Sequence, residues 1–369
     1  MTIDVQFQQN YDIESVESEW QGLESRVRPS FFLTWAWIGC WLVQTGVRPI
    51  LVRASRSAET IALGFLTPHE RRRHALSVRQ LRLNETGIGD HDRLTIEHNG
   101  FLAVPDAPDK LLRHVFSMMQ QSPALGDWDE IVLGGVPSSM VAAAEAAGLV
   151  IETDNTSADY RVNLSALLHD DVSWLSRQSS NLRAQLRQAR KTAERHGSLS
   201  LTVARTTEEA LSFFEAMRVL HEKYWQSRGQ SGAFATEFAR RFHRALISGH
   251  TDDGQVELLK LSAGQQQLGY LYNFVSFGTV YNYQSGFSYS GDNRDRPGLL
   301  AHAMAIERAM SQGCGAYDFL AGDASYKARF GENSGSLIWC RAQRDRPTIV
   351  VERMARRGKQ IAGRLLGRR

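Results

Sequence analysis

The chain has 369 residues, more than a typical single domain holds, so two domains are predicted. Its 42% hydrophobic and 22% charged residues are typical of a soluble globular protein, and a net charge of +3 argues against a surface that traps polyanions, so no DNA partner is expected. Three scattered cysteines argue against a disulfide framework and a metal site, so no metal is expected.

The start of the chain is polar and acidic, which does not fit a signal peptide. The most apolar early stretch, residues 31–43, is shorter than the ~20 residues that span a membrane, and it predicts a buried helix. A cytoplasmic location is therefore expected.

The first half of the chain alternates between helical and extended patterns. Val16, Trp20, Leu23 and Val27 recur at helical spacing. The predicted elements are helices over 14–26 and 34–45, strands over 49–54, 60–70 and 75–84, a helix near 107–121 started by Asp106 and Pro108, a strand over 128–136, and a helix over 138–150 closed by Gly148.

The second half repeats this order. The predicted elements are a long helix or two in tandem over 173–197, a strand over 199–205, helices over 207–229 and about 236–248, strands over 255–264, 266–278 and 279–289, a polar loop, a helix over 299–313, and strands over 316–322 and 336–344. This order predicts a mixed α/β (α+β) fold of two tandem domains, each a mostly antiparallel sheet flanked by helices. The predicted domains are 1–160 and 161–350, joined near 155–172 and followed by a basic tail over 351–369. No G-x-G-x-x-G follows a predicted strand, so a dinucleotide-binding fold has no support.

The strand–loop–helix over 279–313 carries the most chemistry. Its helix is predicted to begin at Pro297 and Gly298, where unpaired N–H groups and a partial positive charge can hold a phosphate. Gly298 would let a ligand approach the backbone, and Arg294 and Arg296 would add cations. The alternative is a plain loop that binds nothing, because proline at the first helical position is common.

The next strand ends in "YDFLAGDASYKARFG", which places Lys327 just past a buried-looking strand and a turn. In a fold of this order, the start of the crossover helix and the end of the following strand lie side by side. Lys327 would then sit beside any anion that the helix holds, or it would cap a turn in solvent.

The order of strand, Pro-Gly, helix, "DFLAGD" and "YKARFG" resembles the GNAT superfamily, and more closely the CelD-like (BioF-like) acyltransferases of bacterial polysaccharide loci. The "YKARFG" piece is also similar to FemABX peptidyltransferases, which share the double GNAT fold. "PSFFLTWAWIGCWL", "NLRAQLRQARKTAERHG" and "HEKYWQSRGQSGAF" resemble other parts of the family, so the resemblance extends from about 14 to 345. It implies two GNAT-like domains with an acyl-CoA site, for an acetyl or other acyl donor, in the second.

The resemblance implies that the donor's pyrophosphate lies on the residues that open the crossover helix, namely Arg294, Arg296, Pro297, Gly298 and Leu299. The superfamily pattern R/Q-x-x-G-x-G/A departs here, because Asp295 and Leu300 occupy its first and last positions. In FemABX relatives the lysine that matches Lys327 faces developing negative charge at the reacting carbonyl, which implies an oxyanion or phosphate partner.

Acyl transfer needs a held donor, an oxyanion stabiliser and a route for the acceptor's proton. The candidates for the proton route are Tyr281, Tyr283, Asp318, His302 and His221. The alternative for Asp318 is a structural strand acid, and the alternative for His302 is a core or surface histidine. The candidates for substrate binding are Arg183, Arg187, His221, Trp225 and Tyr326; Trp225 would stack on a sugar ring or belong to the core.

Arg183, Arg187 and Arg190 share one helix face, which is either solvated, a cleft wall for an anionic acceptor, or an RNA contact. The last 18 residues hold seven basic residues and one acid. They form either a frayed tail or a cationic amphipathic helix, with Met354 and Ile361 on its apolar side, that lies on the inner membrane face.

Three functions follow as hypotheses. The first is a GNAT-type N-acyltransferase acting on an amine or hydroxyl of a sugar, nucleotide-sugar or polysaccharide precursor. The second is a FemABX-like transferase that uses aminoacyl-tRNA, the only case in which tRNA is a partner; the chain lacks the long helical-hairpin insertion that several of those enzymes carry. The third is a non-catalytic binding protein on a GNAT scaffold.

Overall fold

A computed structural model of the chain describes residues 2–73, 76–105, 108–289, 294–322, 326–347, 349–354 and 356. They form two compact units, Met1–Thr156 with Leu337–Arg369 and Ser157–Ser336. The division at 156 lies inside the predicted join near 155–172. A strand and a helix run through this join. The chain then returns to the first unit at 337, which the predicted boundaries place in the second domain.

The helices and strands are, in chain order, β1 (Ile3–Gln8), α1 (Ile13–Val27), α2 (Trp35–Thr45), β2 (Ile50–Arg56), β3 (Glu59–Arg73), β4 (Leu76–Leu83), β5 (Leu102–Ala103), α3 (Pro108–Gln121), β6 (Glu130–Pro137), α4 (Ser138–Ala146), β7 (Val150–Asn163), α5 (Leu164–His169), α6 (Ser180–Ala193), β8 (Leu199–Val203), α7 (Thr207–Gln226), α8 (Glu237–His250), β9 (Val256–Ala263), β10 (Gln266–Ser276), β11 (Thr279–Phe287), α9 (Pro297–Ser311), β12 (Ala316–Ala321), α10 (Lys327–Phe330) and β13 (Glu332–Gln343).

The helices form where apolar spacing and capping residues agree. In α1 the side chain of Asp12 accepts a hydrogen bond from the N–H of Ser15, and Val16, Trp20 and Leu23 are buried on one face. The predicted helix over 173–197 is shorter in the structure. It is α6, with a 3₁₀ turn before it at Trp174–Arg177 and another after it at Glu194–His196.

Three strands, β1, β5 and β7, are not among the predicted elements. β5 has only two residues, β1 is a short alternation of Ile3, Val5 and Phe7 with polar residues, and the first half of β7 is polar. β7 is mostly exposed over its first half, and β1 has one buried residue, Val5. Asp106, the predicted start of the helix near 107–121, lies outside the described residues, as does most of the basic tail. Within the tail, Val351 and Met354 are exposed.

The two units repeat one topology. In the first, the sheet order is β1–β2–β3–β4–β6–β13, and in the second it is β7–β12–β11–β10–β9–β8. Strand pairs are antiparallel except for one parallel pair in each, β4 with β6 and β11 with β12, and each parallel pair is connected through a helix, α3 or α9. The predicted mixed α/β fold of two tandem units with mostly antiparallel sheets is confirmed.

The sheet of the second unit is covered on both faces. On one face, α6 and α9 pack with Leu259, Leu271 and Phe319 in one apolar core. On the other, α7 and α8 bring Phe214 and His243 against Tyr272. This arrangement leaves the carboxyl ends of β11 and β12 accessible at one edge of the core, next to the start of α9.

A glycine sets how closely α7 packs on the sheet. A Cβ at Gly286 in β11 would lie 2.3 Å from the carbonyl oxygen of Met217 in α7. We expect Gly286→Ala to lower the free energy of unfolding by roughly 3 kcal/mol, because the helix must move off the strand. Gly249→Ala is the matched control. It lies on the exposed side of α8 with nothing within 4 Å of a Cβ, so it should stabilise by about 0.5–1 kcal/mol. Urea unfolding of both variants checks this, and equal effects would contradict it.

Candidate active site

The parallel pairing of β11 and β12 stops before the carboxyl ends of the two strands, and the region between those ends is called the cleft below. The two strands pair in parallel at only three positions, from Thr279 with Ala316 to Tyr281 with Asp318. Each strand then continues on its other partner, β11 on β10 up to Phe287 and β12 on β7 up to Ala321. The register of β11 on β10 shifts at Tyr283, which marks a β-bulge and turns the strand. The parallel strands therefore diverge in front of α9.

An ion pair lies at the point where the strands diverge. Asp318 is fully buried, and its Oδ2 accepts from Nε and Nη2 of Arg161 at 3.0 and 2.8 Å. Its Oδ1 accepts from the N–H of Leu320 at 2.7 Å, and Leu320 has a φ of 61°. Burial opposes the charge of Arg161, but Asp318 outweighs this and the pKa of Arg161 is raised. Asp318 thus fixes the turn that ends β12.

Tyr281 lies beside this pair, directly opposite Asp318 in the ladder. Burial raises the pKa of the Tyr281 hydroxyl, and the negative charge of Asp318 raises it further. The phenol therefore keeps its proton at neutral pH.

Lys327 is buried and reaches back to the end of β12. Its Nζ donates to the carbonyl oxygens of Leu320 at 3.1 Å and Ala321 at 2.6 Å. A Cβ on Gly322, which has a φ of 137°, would lie 3.0 Å from this ammonium, so glycine is required there on two grounds. Lys327 is 8% exposed, so it does not cap a turn in solvent. It brings a positive charge to the cleft edge of β12.

Tyr326 and His302 form the apolar wall behind this lysine. Their rings stack at 5.3 Å between centroids, and Nδ1 of His302 is 3.3 Å from the hydroxyl of Tyr317. Burial lowers the pKa of His302 to about 3, with a contribution from the charge of Lys327. His302 is therefore a neutral core histidine near pH 7. Burial also raises the pKa of the Tyr326 hydroxyl.

The start of α9 forms the other side of the cleft. Arg296 is its N-cap residue, and the side chain of Arg296 makes no capping hydrogen bond. Pro297 occupies the first turn, followed by Gly298 and the buried Leu299; Arg294 is exposed. A Cβ on Gly298 would meet the ring of Phe287 at 3.1 Å, so this glycine is explained by packing on Phe287 as well as by ligand approach. Residues 290–293 and 323–325 lie outside the described part of the chain.

His221 has a structural role on α7. Its Nδ1 lies 3.0 Å from the carbonyl oxygen of Ser285, to which it donates, and its Nε2 accepts from the N–H of Ala233 at 3.1 Å. Burial lowers the pKa of His221. The imidazole therefore ties α7 and the loop after it to the end of β11, and both of its nitrogens are engaged. Trp225, half-buried, lies with its ring 6.0 Å from that of His221.

The remaining predicted residues lie apart from the cleft. Tyr283 points to the α8 side of the sheet, where its ring packs 4.9 Å from Phe274 and 5.1 Å from His243. Arg183 and Arg187 lie on α6, which packs against α9. The structure thus places Tyr281 opposite Asp318 in the ladder and Tyr326 and Lys327 just after β12, while Tyr283 packs on Phe274, the partner of Tyr281 in β10.

Two residues of the candidate site, Arg161 and Phe287, are not predicted from the sequence. Arg161 lies 157 residues before its partner Asp318, in a strand whose polar pattern gave no signal. Phe287 occupies an ordinary alternating position in β11, and only its contact with Gly298 gives it a role.

Two buried histidines predict how stability depends on pH. Burial lowers the pKa of His302 and of His243 to about 3 from 6.5. The unfolded chain therefore binds these protons first, so the stabilisation is complete above pH 6.5 and falls as the pH drops below it, by about 1.4 kcal/mol per unit for each histidine. From pH 7 to 5 we expect about 4 kcal/mol of loss from the pair, and about 2 in His302→Phe.

Urea unfolding of both proteins at the two pH values measures this difference. His169→Gln is the control, because the side chain of His169 is 89% exposed. It should keep the full pH dependence of the wild type. A pH dependence in His302→Phe as steep as that of the wild type would show that His302 titrates normally.

Comparisons with known proteins place these features in context. Residues 180–328 match the family model described as an acetyltransferase (GNAT) domain. In fold, the chain is similar to FemX, with a TM-score of 0.58 at 11% identity over 92% of this chain and 97% of that one. It is also similar to the C-terminal domain of a putative lysylphosphatidylglycerol synthetase from Agrobacterium fabrum, with a TM-score of 0.54 at 10% identity over 90% and 92% of the two chains.

A third similar structure is L-PGS from Bacillus licheniformis, with a TM-score of 0.51 at 11% identity over 95% of this chain and 99% of that one. At these identities the likeness concerns the fold alone. Among curated protein sequences, none matches this chain significantly. Within the described residues, no helix combines the length and the apolar character that crossing a bilayer requires.

Proposed function

We propose that this chain is an acyltransferase that uses acyl-CoA, on the premise that its residues 180–328 match the GNAT acetyltransferase domain. The acceptor is an amine or hydroxyl of a sugar, nucleotide-sugar or polysaccharide precursor, and acetyl is the first candidate for the acyl group. The observation that carries the proposal is the cleft between β11 and β12, which lies inside the matched residues between the start of α9 and the ammonium of Lys327.

The residues of the cleft fit a donor with a diphosphate and a carbonyl group. The first N–H groups of α9 would hold the diphosphate together with Arg294 and Arg296. A thioester donor supplies an acyl group that is already activated. Lys327 would stabilise negative charge on the acyl oxygen. Tyr281, which keeps its proton, would act as a hydrogen-bond donor. Asp318 and His302 would position these groups, since Asp318 is bonded through both oxygens and His302 stays neutral.

Calorimetry of the full-length protein with acetyl-CoA, a longer acyl-CoA and tRNA tests the proposal. Saturable binding of an acyl-CoA supports it, and failure of every acyl-CoA to bind contradicts it. Binding of tRNA alone would favour aminoacyl transfer, and binding of neither would favour a non-catalytic protein.

A pair of variants at Gly298 separates ligand binding from packing. Any side chain there displaces the ring of Phe287, so Gly298→Asn and Gly298→Asp should lose similar stability. The aspartate also places a negative charge at the start of α9, where the diphosphate would lie. We expect Gly298→Asp to bind acetyl-CoA at least roughly tenfold more weakly than Gly298→Asn. Equal affinities in calorimetry would place the donor elsewhere.

A second candidate function is transfer from aminoacyl-tRNA. It is favoured by the fold similarity to FemX and to a lysylphosphatidylglycerol synthetase domain, which extends over 92% and 90% of this chain. Asp295 and Leu300 also depart from the superfamily's phosphate-binding pattern, which argues against binding of coenzyme A at the start of α9. The tRNA arm of the calorimetry decides between the two donors.

A further inference from the structure

A groove lies between α6 and α9 in the second unit. Its volume is about 160 Å³. It extends along α9 from Leu300 to Glu307, so it begins directly after Leu299, the last of the residues that would hold the donor. The proposed acyl transfer does not use it.

The floor of the groove is apolar. It consists of side chains from both helices and from the 3₁₀ turn before α6, which are Leu175, Leu186, Leu300, Ala303 and Met304. Leu300 and Leu186 are 2% and 7% exposed and belong to the core of the unit. A floor of this kind favours an alkyl or isoprenoid chain, because its burial releases water from two apolar surfaces.

The rim of the groove is basic. Arg183, Arg187 and Arg190 line it from successive turns of α6, and the Nη1 of Arg183 donates to the carbonyl oxygen of Ser176 at 3.1 Å. The charge of Arg190 is partly met by Glu194 at 3.7 Å. Arg187 is exposed, and its side chain has no hydrogen bond or ion pair with the residues that the structure describes. An exposed guanidinium of this kind is suited to bind a phosphate oxygen.

One carboxylate limits what the groove accepts. Glu307 lines it from α9, so three arginines are opposed by Glu307 and, outside the groove, by Glu194. This balance leaves about one net positive charge, which complements a single phosphate group rather than a polyanion. The apolar floor also distinguishes the groove from an RNA surface, which would need a continuous basic track with exposed aromatic rings.

We propose that the groove between α6 and α9 binds a phosphate carried on an apolar chain, as in a lipid-linked phosphate. The phosphate lies on Arg187 with Arg183 and Arg190 beside it, and the chain lies along Leu186, Leu300 and Met304. The site adds a lipid phosphate as a ligand of this protein, and it stands whether or not the cleft binds acyl-CoA.

Calorimetry of the full-length protein with octyl phosphate tests the proposal, with inorganic phosphate and 1-octanol as the two halves of the ligand. Octyl phosphate is expected to bind at least roughly tenfold more tightly than either half, because it fills both the rim and the floor. Inorganic phosphate that binds as well as octyl phosphate would show an anion site only. 1-Octanol that binds as well would show an apolar site only. Either result overturns the proposal.

Variants locate the binding. Arg187→Gln should weaken octyl phosphate roughly tenfold, and Met304→Glu should abolish binding by placing a charge on the floor. Lys191→Gln removes the same charge from an exposed position of α6 outside the groove and should bind like the wild type. Retained affinity in both groove variants, or displacement of octyl phosphate by coenzyme A or by an RNA oligonucleotide, would overturn the proposal. Acetyl-CoA affinity of Arg187→Gln is expected to be unchanged, which separates this test from that of the cleft.

Discussion

Lys327→Met is expected to lower kcat by a hundredfold or more, with a smaller effect on the affinity for acyl-CoA. The ammonium of Lys327 lies at the carboxyl end of β12, bonded to the carbonyls of Leu320 and Ala321. Groups aimed at developing negative charge contribute roughly 10²–10³ in kcat when they are removed singly. Steady-state kinetics with saturating acyl-CoA measure the effect. A variant that keeps wild-type turnover would exclude Lys327 from the chemistry.

The same substitution has a structural effect that must be separated from catalysis. It removes a charged donor from two carbonyl oxygens at a buried position, which should destabilise the protein by about 2 kcal/mol. Kinetics are therefore compared well below the melting temperature of each variant. Lys327→Arg keeps the charge and should retain more turnover than Lys327→Met. Lys223→Met, at an exposed position of α7, is the control for loss of a lysine and should change neither quantity.

Arg161→Ala is expected to lower the free energy of unfolding by roughly 3–5 kcal/mol, because it leaves the carboxylate of Asp318 buried without its cation. Asp318 is fully buried and the side chain of Arg161 is 38% exposed, so the space that the guanidinium leaves can admit water to the carboxylate, and the loss should lie near the lower end of this range. The change should appear in urea unfolding as a shift of the midpoint.

A matched control and a double variant make this test specific. Arg177→Ala removes an exposed arginine that is 3.7 Å from Asp170, and it should cost at most about 1 kcal/mol. Arg161→Ala combined with Asp318→Asn should recover part of the loss, because no buried charge then remains unpaired. If Arg161→Ala is as mild as Arg177→Ala, the pair does not stabilise the junction of β11 and β12.

Local patterns in the chain were sufficient for most elements of the fold. The spacing of Val16, Trp20 and Leu23 predicts α1, and the alternating runs over 255–289 predict β9, β10 and β11, because a helix or strand buries residues at its own period. β7 is not predicted, since its first half is polar and mostly exposed. β1 is not predicted although Ile3, Val5 and Phe7 alternate with polar residues and pack on the core.

The candidate site divides in the same way. The motif around Lys327 predicted its position after a strand near the start of the crossover helix, and the structure places it there, because a parallel pair joined by a helix brings those two ends together. The sequence predicts that Gly298 lets a ligand approach the backbone. It does not predict that Gly298 packs on Phe287, because that contact forms only in the folded chain.

The sequence by itself determined most of the helices and strands and the residue types at the carboxyl ends of β11 and β12, because these depend on neighbours a few residues apart. Only the tertiary structure decided that Arg161 pairs with Asp318, that Lys327 turns back onto Leu320 and Ala321, and that α6 and α9 leave a groove with a basic rim. The reason is physical. Such contacts join segments far apart in the chain, and their energy depends on burial and packing that no local pattern records.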